Sequence, residues 1–134
     1  MIEVTKNNLL INEEVNACLS SIIKKKSFAN GYIFYGAEGV GKRQTALLFI
    51  TEILKQFSTS GNIEEKIRQN NHPDYLIIEP TALFEAKRSK NDDLEKTTKN
   101  RSEIIKIAQI RNIKNFLGRK SINSEKKIVL IIDA

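Results

Sequence analysis

Seven consecutive residues, Gly36-Ala37-Glu38-Gly39-Val40-Gly41-Lys42, fit the spacing G-x-x-x-x-G-K of a phosphate-binding loop. Glycines there let successive N–H groups turn into one concavity at a helix N-terminus, where orphan amides and the helix dipole both favour an anion. The candidate nucleotide contacts are therefore Gly36, Glu38, Gly39, Val40, Gly41, Lys42 and Arg43. Lys42 supplies the point charge for the outer phosphates. The next position departs from the working pattern, which has Ser or Thr there to bind Mg²⁺; here it is Arg43. Thr45 cannot substitute, because two residues along a helix rotate the side chain by roughly 200°.

Hydrolysis also needs an aspartate at the end of an apolar strand, the Walker B element. Ile128-Val129-Leu130-Ile131-Ile132-Asp133 has that form, which makes Asp133 a weak candidate for a metal ligand. The residue after it is Ala134, where hydrolysing enzymes of this type commonly carry a water-polarising Glu. With metal hydroxyl and water-activating carboxylate both missing, no residue is assigned a catalytic role and no intrinsic ATPase is expected. ATP or ADP remains a possible ligand, and Mg²⁺ a doubtful one.

The surrounding elements must position this loop. Asn12 can cap a helix running to about Lys25, with Glu13 and Glu14 in its first turn and Val15, Cys18, Leu19, Ile22 and Ile23 as one apolar stripe. On that stripe Cys18 reads as core filler. Tyr32-Ile33-Phe34-Tyr35 reads as a short buried strand leading into the loop. A second helix from about Lys42 to Phe57 presents Ala46, Leu47, Ile50, Ile53, Leu54 and Phe57. Residues 63–69 add a helical turn. His72-Pro73-Asp74 precedes a second strand, Tyr75 to Glu79, and His72 reads as a turn residue rather than a ligand. From about Thr81 to Ser102 the pattern disappears into a polar, exposed insertion. A third helix covers about Ala108 to Leu117 with Ile110, Ile113, Phe116 and Leu117 facing inward, and Ile128–Ile132 is the last strand. Strands that are continuous apolar runs, alternating with helices, indicate an α/β fold with a parallel sheet flanked by helices.

Composition narrows the function classes. The chain has 134 residues, about one domain. Its single cysteine and single histidine exclude an intrachain disulfide framework and most metal or nucleophilic constellations. No apolar run is long enough to span a bilayer, and the first residues lack a signal-peptide core. A reduced, cytoplasmic protein without a membrane partner is the simplest reading. The net charge of +6 is uneven: residues 1–83 balance, whereas residues 84–127 hold 13 Lys/Arg against 6 Asp/Glu. Such a segment can attract a polyanion or acidic partner, although the abundance of Ile, Lys and Asn is also the bias of an A+T-rich genome. Phe84 is the sole aromatic in it before Phe116, so any DNA contact would be to phosphates, not by base stacking.

Ala29 to Phe34, the loop at 36–42, His72-Pro73-Asp74, Gln109-Ile110-Arg111 and Lys127 to Ala134 together resemble the N-terminal AAA+ domain of bacterial clamp-loader subunits. The resemblance covers nearly the whole chain. Arg43 and the Asp-Ala ending point to the delta-prime branch rather than the gamma/tau ATPase branch, whose cysteine zinc module is also missing after the loop helix. The resemblance implies a stationary loader subunit whose partners are gamma/tau and delta, and, through the complex, the sliding clamp and primed DNA. It also implies that residues 1–134 are the N-terminal part of a P-loop domain, with later strands, lid and collar domains and any trans-acting arginine beyond Ala134. In that sheet order a further strand lies between those near Ile33 and Val129, so both would face a missing neighbour, and the isolated segment is expected to be marginally stable. The alternative is an active ATPase of the gamma/tau type. A nucleoside kinase or GTPase-like enzyme fits less well, for want of an Asn-Lys-x-Asp base-recognition motif.

Overall fold

A computed structural model describes residues 12–59, 61–82 and 103–132. Helix α1 spans Glu13–Lys25, α2 Lys42–Phe57, α3 Ile63–Arg68 and α4 Ile107–Leu117; the strands are β1 Tyr75–Ile78, β2 Thr81–Ala82, β3 Glu103–Ile104 and β4 Ile128–Ile131. The class is α/β. Strands β1 and β4 pair in parallel with Tyr75 opposite Ile128 and Ile78 opposite Ile131. Strands β2 and β3 form a separate antiparallel ladder.

Helix α1 begins as its sequence dictates. The Asn12 side chain accepts the Glu14 amide at 2.9 Å, and Lys24 and Lys25 occupy the last turn, where the dipole favours cations. Its stripe is narrower than the spacing implies. Leu19 and Ile23 are buried, but Val15 is 39% exposed and Cys18 is exposed, so Cys18 is not core filler.

Helix α2 is the centre of the core. One side, Phe49 and Ile53, meets Leu19 and Ile23 of α1; the other, Ile50 and Leu54, meets Ile63 and Ile67 of α3 and Tyr75 of β1. Leu54 is completely buried and Phe49, absent from the expected face, nearly so. A helix packed on two sides has a broader apolar arc than a single stripe shows. Ile128 touches both clusters and so ties β4 to them.

Residues 32–35 are not a strand. Tyr32 and Phe34 lay their rings against Phe49, with centroids 5.1 and 6.4 Å away, while Ile33 and Tyr35 are about nine-tenths exposed. The alternation is strand-like, yet among the described residues no ladder partner reaches this segment, and β propensity alone does not satisfy backbone donors. The resemblance implies a further strand between those near Ile33 and Val129; among the described residues Val129 pairs with Leu76 of β1 and no strand pairs with Ile33.

The expected insertion also needs correction at its edge. Thr81 and Ala82 pair with Ile104 and Glu103, so the ends of the polar stretch are held together; residues 83–102 lie outside the described residues. In α4, Ile113 and Phe116 are half-buried, but Ile110 and Leu117 are 51% and 53% exposed and no residue of the helix is buried. The inward face expected of it is therefore only half realised.

Candidate phosphate-loop site

The turn between Phe34 and α2 takes its shape from glycine. Gly39 and Gly41 sit at φ 78° and 86°, in the left-handed region where a Cβ is strained. Gly41 is also the residue that starts α2, and no side chain caps that helix. The first-turn amides of a helix have no intrahelical partners, so the α2 N-terminus presents uncompensated donors. Its first turn contains no acid and begins with two cations, Lys42 and Arg43. This inverts the arrangement in α1, where Asn12, Glu13 and Glu14 complement the dipole. A cation at a helix start is disfavoured by about 0.3–1 kcal/mol. Local rules broken this way mark positions whose residues serve something other than the helix itself.

Both cations are held by internal acceptors. Lys42 Nζ folds back to donate to the carbonyls of Gly36 and Ala37 at 2.8 and 2.7 Å, closing the loop on itself. The Arg43 guanidinium pairs with the Glu79 carboxylate just beyond β1. The backbone of Glu79 is fixed in turn: its carbonyl accepts from Gln109 Nε2 at 2.8 Å, and Gln109 Oε1 accepts the Lys106 amide at 2.8 Å. The loop, the end of β1 and the start of α4 thus meet at one place. Glu38 and Val40 are exposed at the loop tip.

No seat for a divalent ion is formed by these groups. Where a hydroxyl would be needed, Arg43 carries a charge that repels a cation. The Thr45 hydroxyl is engaged with the Gly41 carbonyl at 2.9 Å, inside its own helix. Among the described residues no cluster of three His, Cys, Asp or Glu could hold a metal, and Asp133 lies outside them. The residues present do not fit Mg²⁺.

One residue with a large structural role escapes the sequence reading. Asp74 is fully buried, and its carboxylate accepts the amides of Ile122, Asn123 and Ser124, each at 2.7 Å, and the Ser124 hydroxyl at 3.3 Å. Burial alone would raise its pKa, but those donors together outweigh burial and hold it below the usual carboxylate value. His72, also buried, accepts the Asp74 amide through Nδ1 at 3.1 Å, as a turn residue should. Burial depresses its pKa, assisted by Lys66 and opposed by Asp74. The only advance signal for Asp74 is an acid directly abutting an apolar run. Burial likewise pushes the Tyr75 hydroxyl up to about 12.

Residues 11–134 match the protein family described as DNA polymerase III, delta subunit. The chain belongs to that family. It is 25% identical over 132 residues to DNA polymerase III subunit delta' of Bacillus subtilis, covering 92% of this chain and 33% of that protein. The chain thus spans about a third of the length of the curated relative it matches. No solved structure gives a significant match. Two sequence marks of the family resemblance, His72-Pro73-Asp74 and Gln109-Ile110-Arg111, turn out to be scaffold. The first anchors the segment before β4, and the second pins Glu79.

Among the described residues of the basic segment, two groups stand apart. Lys106, Arg111, Lys114, Arg119 and Lys120 are exposed. Lys126 instead lies over the rings of Phe28 and Phe57, and Lys127 donates to the Phe116 carbonyl at 2.7 Å beneath the same ring, so these two charges serve packing. Among the described residues no helix is long and apolar enough to cross a membrane.

Proposed function

We propose that this chain is part of a delta-prime-type clamp-loader subunit of the DNA polymerase III holoenzyme, acting in DNA replication in the cytoplasm. Its fold is read as the N-terminal part of an AAA+ P-loop domain, with a degenerate nucleotide site in the 36–43 loop. The subunit acts as a stationary member of the loader, contacts gamma/tau and delta, and through them serves the sliding clamp at primed DNA. The observation that carries the reading is the family match over residues 11–134, coupled with Arg43 standing where an ATPase needs a hydroxyl.

The chemistry follows from the residues at the loop. Glycine-permitted turns and the uncapped α2 start suit an anion, and Lys42 retains one donor beyond those given to Gly36 and Ala37. These groups bind and orient a nucleoside di- or triphosphate. Cleavage demands more, namely charge stabilisation and a positioned water. With Arg43 in the metal-hydroxyl position and the Thr45 hydroxyl committed to Gly41, the loop lacks the donors for it.

The test is reconstitution with the full-length gene product. A loader assembled from gamma/tau and delta without it is expected to load clamps poorly on primed DNA, and its addition to restore loading. Alone, it is expected to release no phosphate from ATP above the level of its Lys42→Ala variant. Mg²⁺-dependent turnover that Lys42→Ala abolishes would overturn this reading in favour of an active gamma/tau-type ATPase.

A further inference from the structure

We propose that Arg43 is the built-in counter-cation of the 36–42 loop: a nucleoside polyphosphate binds there without a divalent metal, in competition with the Glu79 carboxylate. The inference rests on the phosphate-loop reading above and adds the ionic form of the ligand and the residue that regulates its entry.

Arg43 lies in the first turn of α2, one residue from the lysine that the loop folds around, and its side chain is 55% exposed. It pairs with Glu79, itself 45% exposed, and its charge also acts on the Tyr75 hydroxyl. An ion pair that open to water is weak, so a ligand carrying several negative charges can displace it. The guanidinium stays charged at any working pH, and its planar fork of donors matches phosphate oxygens two at a time. Only one of its terminal nitrogens is used by Glu79. A divalent ion brought by the ligand would instead meet this fixed positive charge and find no hydroxyl.

Glu79 is a positioning residue in this scheme. Its carbonyl is held by Gln109, so its carboxylate is presented from a fixed backbone rather than a free loop. It keeps the guanidinium at the mouth of the loop when no ligand is present, and its charge opposes the incoming anion. The inverted first turn of α2 fits the same scheme: cations set against the helix dipole suit a place where an anion is received.

The experiment is equilibrium binding of ADP to the full-length gene product, in EDTA and in excess Mg²⁺. The expected result is binding in EDTA at least as tight as in Mg²⁺. Arg43→Ala is expected to weaken binding in EDTA by about tenfold, the size of a lost charge-assisted contact. Arg43→Lys, which keeps the charge but not the planar fork, should lose less affinity than Arg43→Ala and so separates the charge from the fork and from folding. Glu79→Gln should tighten binding in EDTA by up to about fivefold, the worth of an exposed ion pair. Tightening of the unmodified protein by tenfold or more on adding Mg²⁺ would overturn the inference, as would an Arg43→Ala variant of unchanged affinity in EDTA. Either result leaves the phosphate-loop reading standing, whereas no ADP binding in either buffer overturns that reading and this inference with it.

Discussion

Replacing Asp74 by Ala should destabilise the fold more than any change at the loop. The carboxylate is fully buried and collects three amides at 2.7 Å, from Ile122, Asn123 and Ser124. Truncation strands the Ser124 amide in the interior and leaves the part-buried amide bonds of Ile122 and Asn123 open to replacement by water. An unsatisfied buried donor costs about 1–3 kcal/mol, so one full and two partial losses come to roughly 3–5 kcal/mol. Against a usual domain stability of about 5–15 kcal/mol, that is a large fraction. The damage should spread, because the same aspartate's carbonyl accepts the Ile128 amide at 2.9 Å, where β4 starts beside β1. Urea unfolding of the full-length protein followed by circular dichroism is the assay, with the midpoint falling and the slope unchanged. Asp74→Asn keeps the shape but turns a donor toward donors, and should lose somewhat less. A loss below about 1 kcal/mol in Asp74→Ala would refute the assignment of this carboxylate as the anchor of residues 122–124.

Further outcomes concern packing and pH. Leu54→Ala, at a fully buried position facing α3 and β1, should cost about 2–5 kcal/mol, again read from the urea midpoint, while Cys18→Ala at an exposed position should change it by no more than about 0.5 kcal/mol. Because the pKa of His72 is lowered in the folded state, the unfolded chain binds more protons, so stability should be greatest above about pH 6.5 and fall as pH drops below it. His72→Gln should flatten that limb, and a stability profile identical to that of the unmodified protein would contradict it. The Asp74 contribution adds a second decline only at lower pH, as pH falls through the unfolded value near 3.8 toward its depressed folded value.

Much of the helical architecture is legible in local sequence. Asn12 with Glu13 and Glu14 fixes the start of α1, the Gly36 to Gly41 turn fixes the start of α2, and both match the observed bounds. The strand at Ile128 and that at Tyr75 are apolar runs bounded by polar residues and pair in parallel as the alternation of elements implies. Capping, periodicity and turn chemistry act over three or four residues, so a sequence states them directly.

What the sequence leaves open depends on partners far away along the chain. Tyr32 to Tyr35 has strand propensity, but a strand needs a ladder, and none forms there among the described residues. Cys18 lies on a helical stripe, yet which part of the stripe is covered depends on where α2 crosses it. The pairing of Arg43 with Glu79, 36 positions apart, and of Asp74 with residues 122–124, 48 to 50 positions apart, has no local signature. The motif itself dictated that a lysine-bearing glycine loop would open α2. The packing of β1 beside α2 decided that Arg43 would meet a carboxylate there, because only a tertiary contact can select a side chain's partner among distant charges.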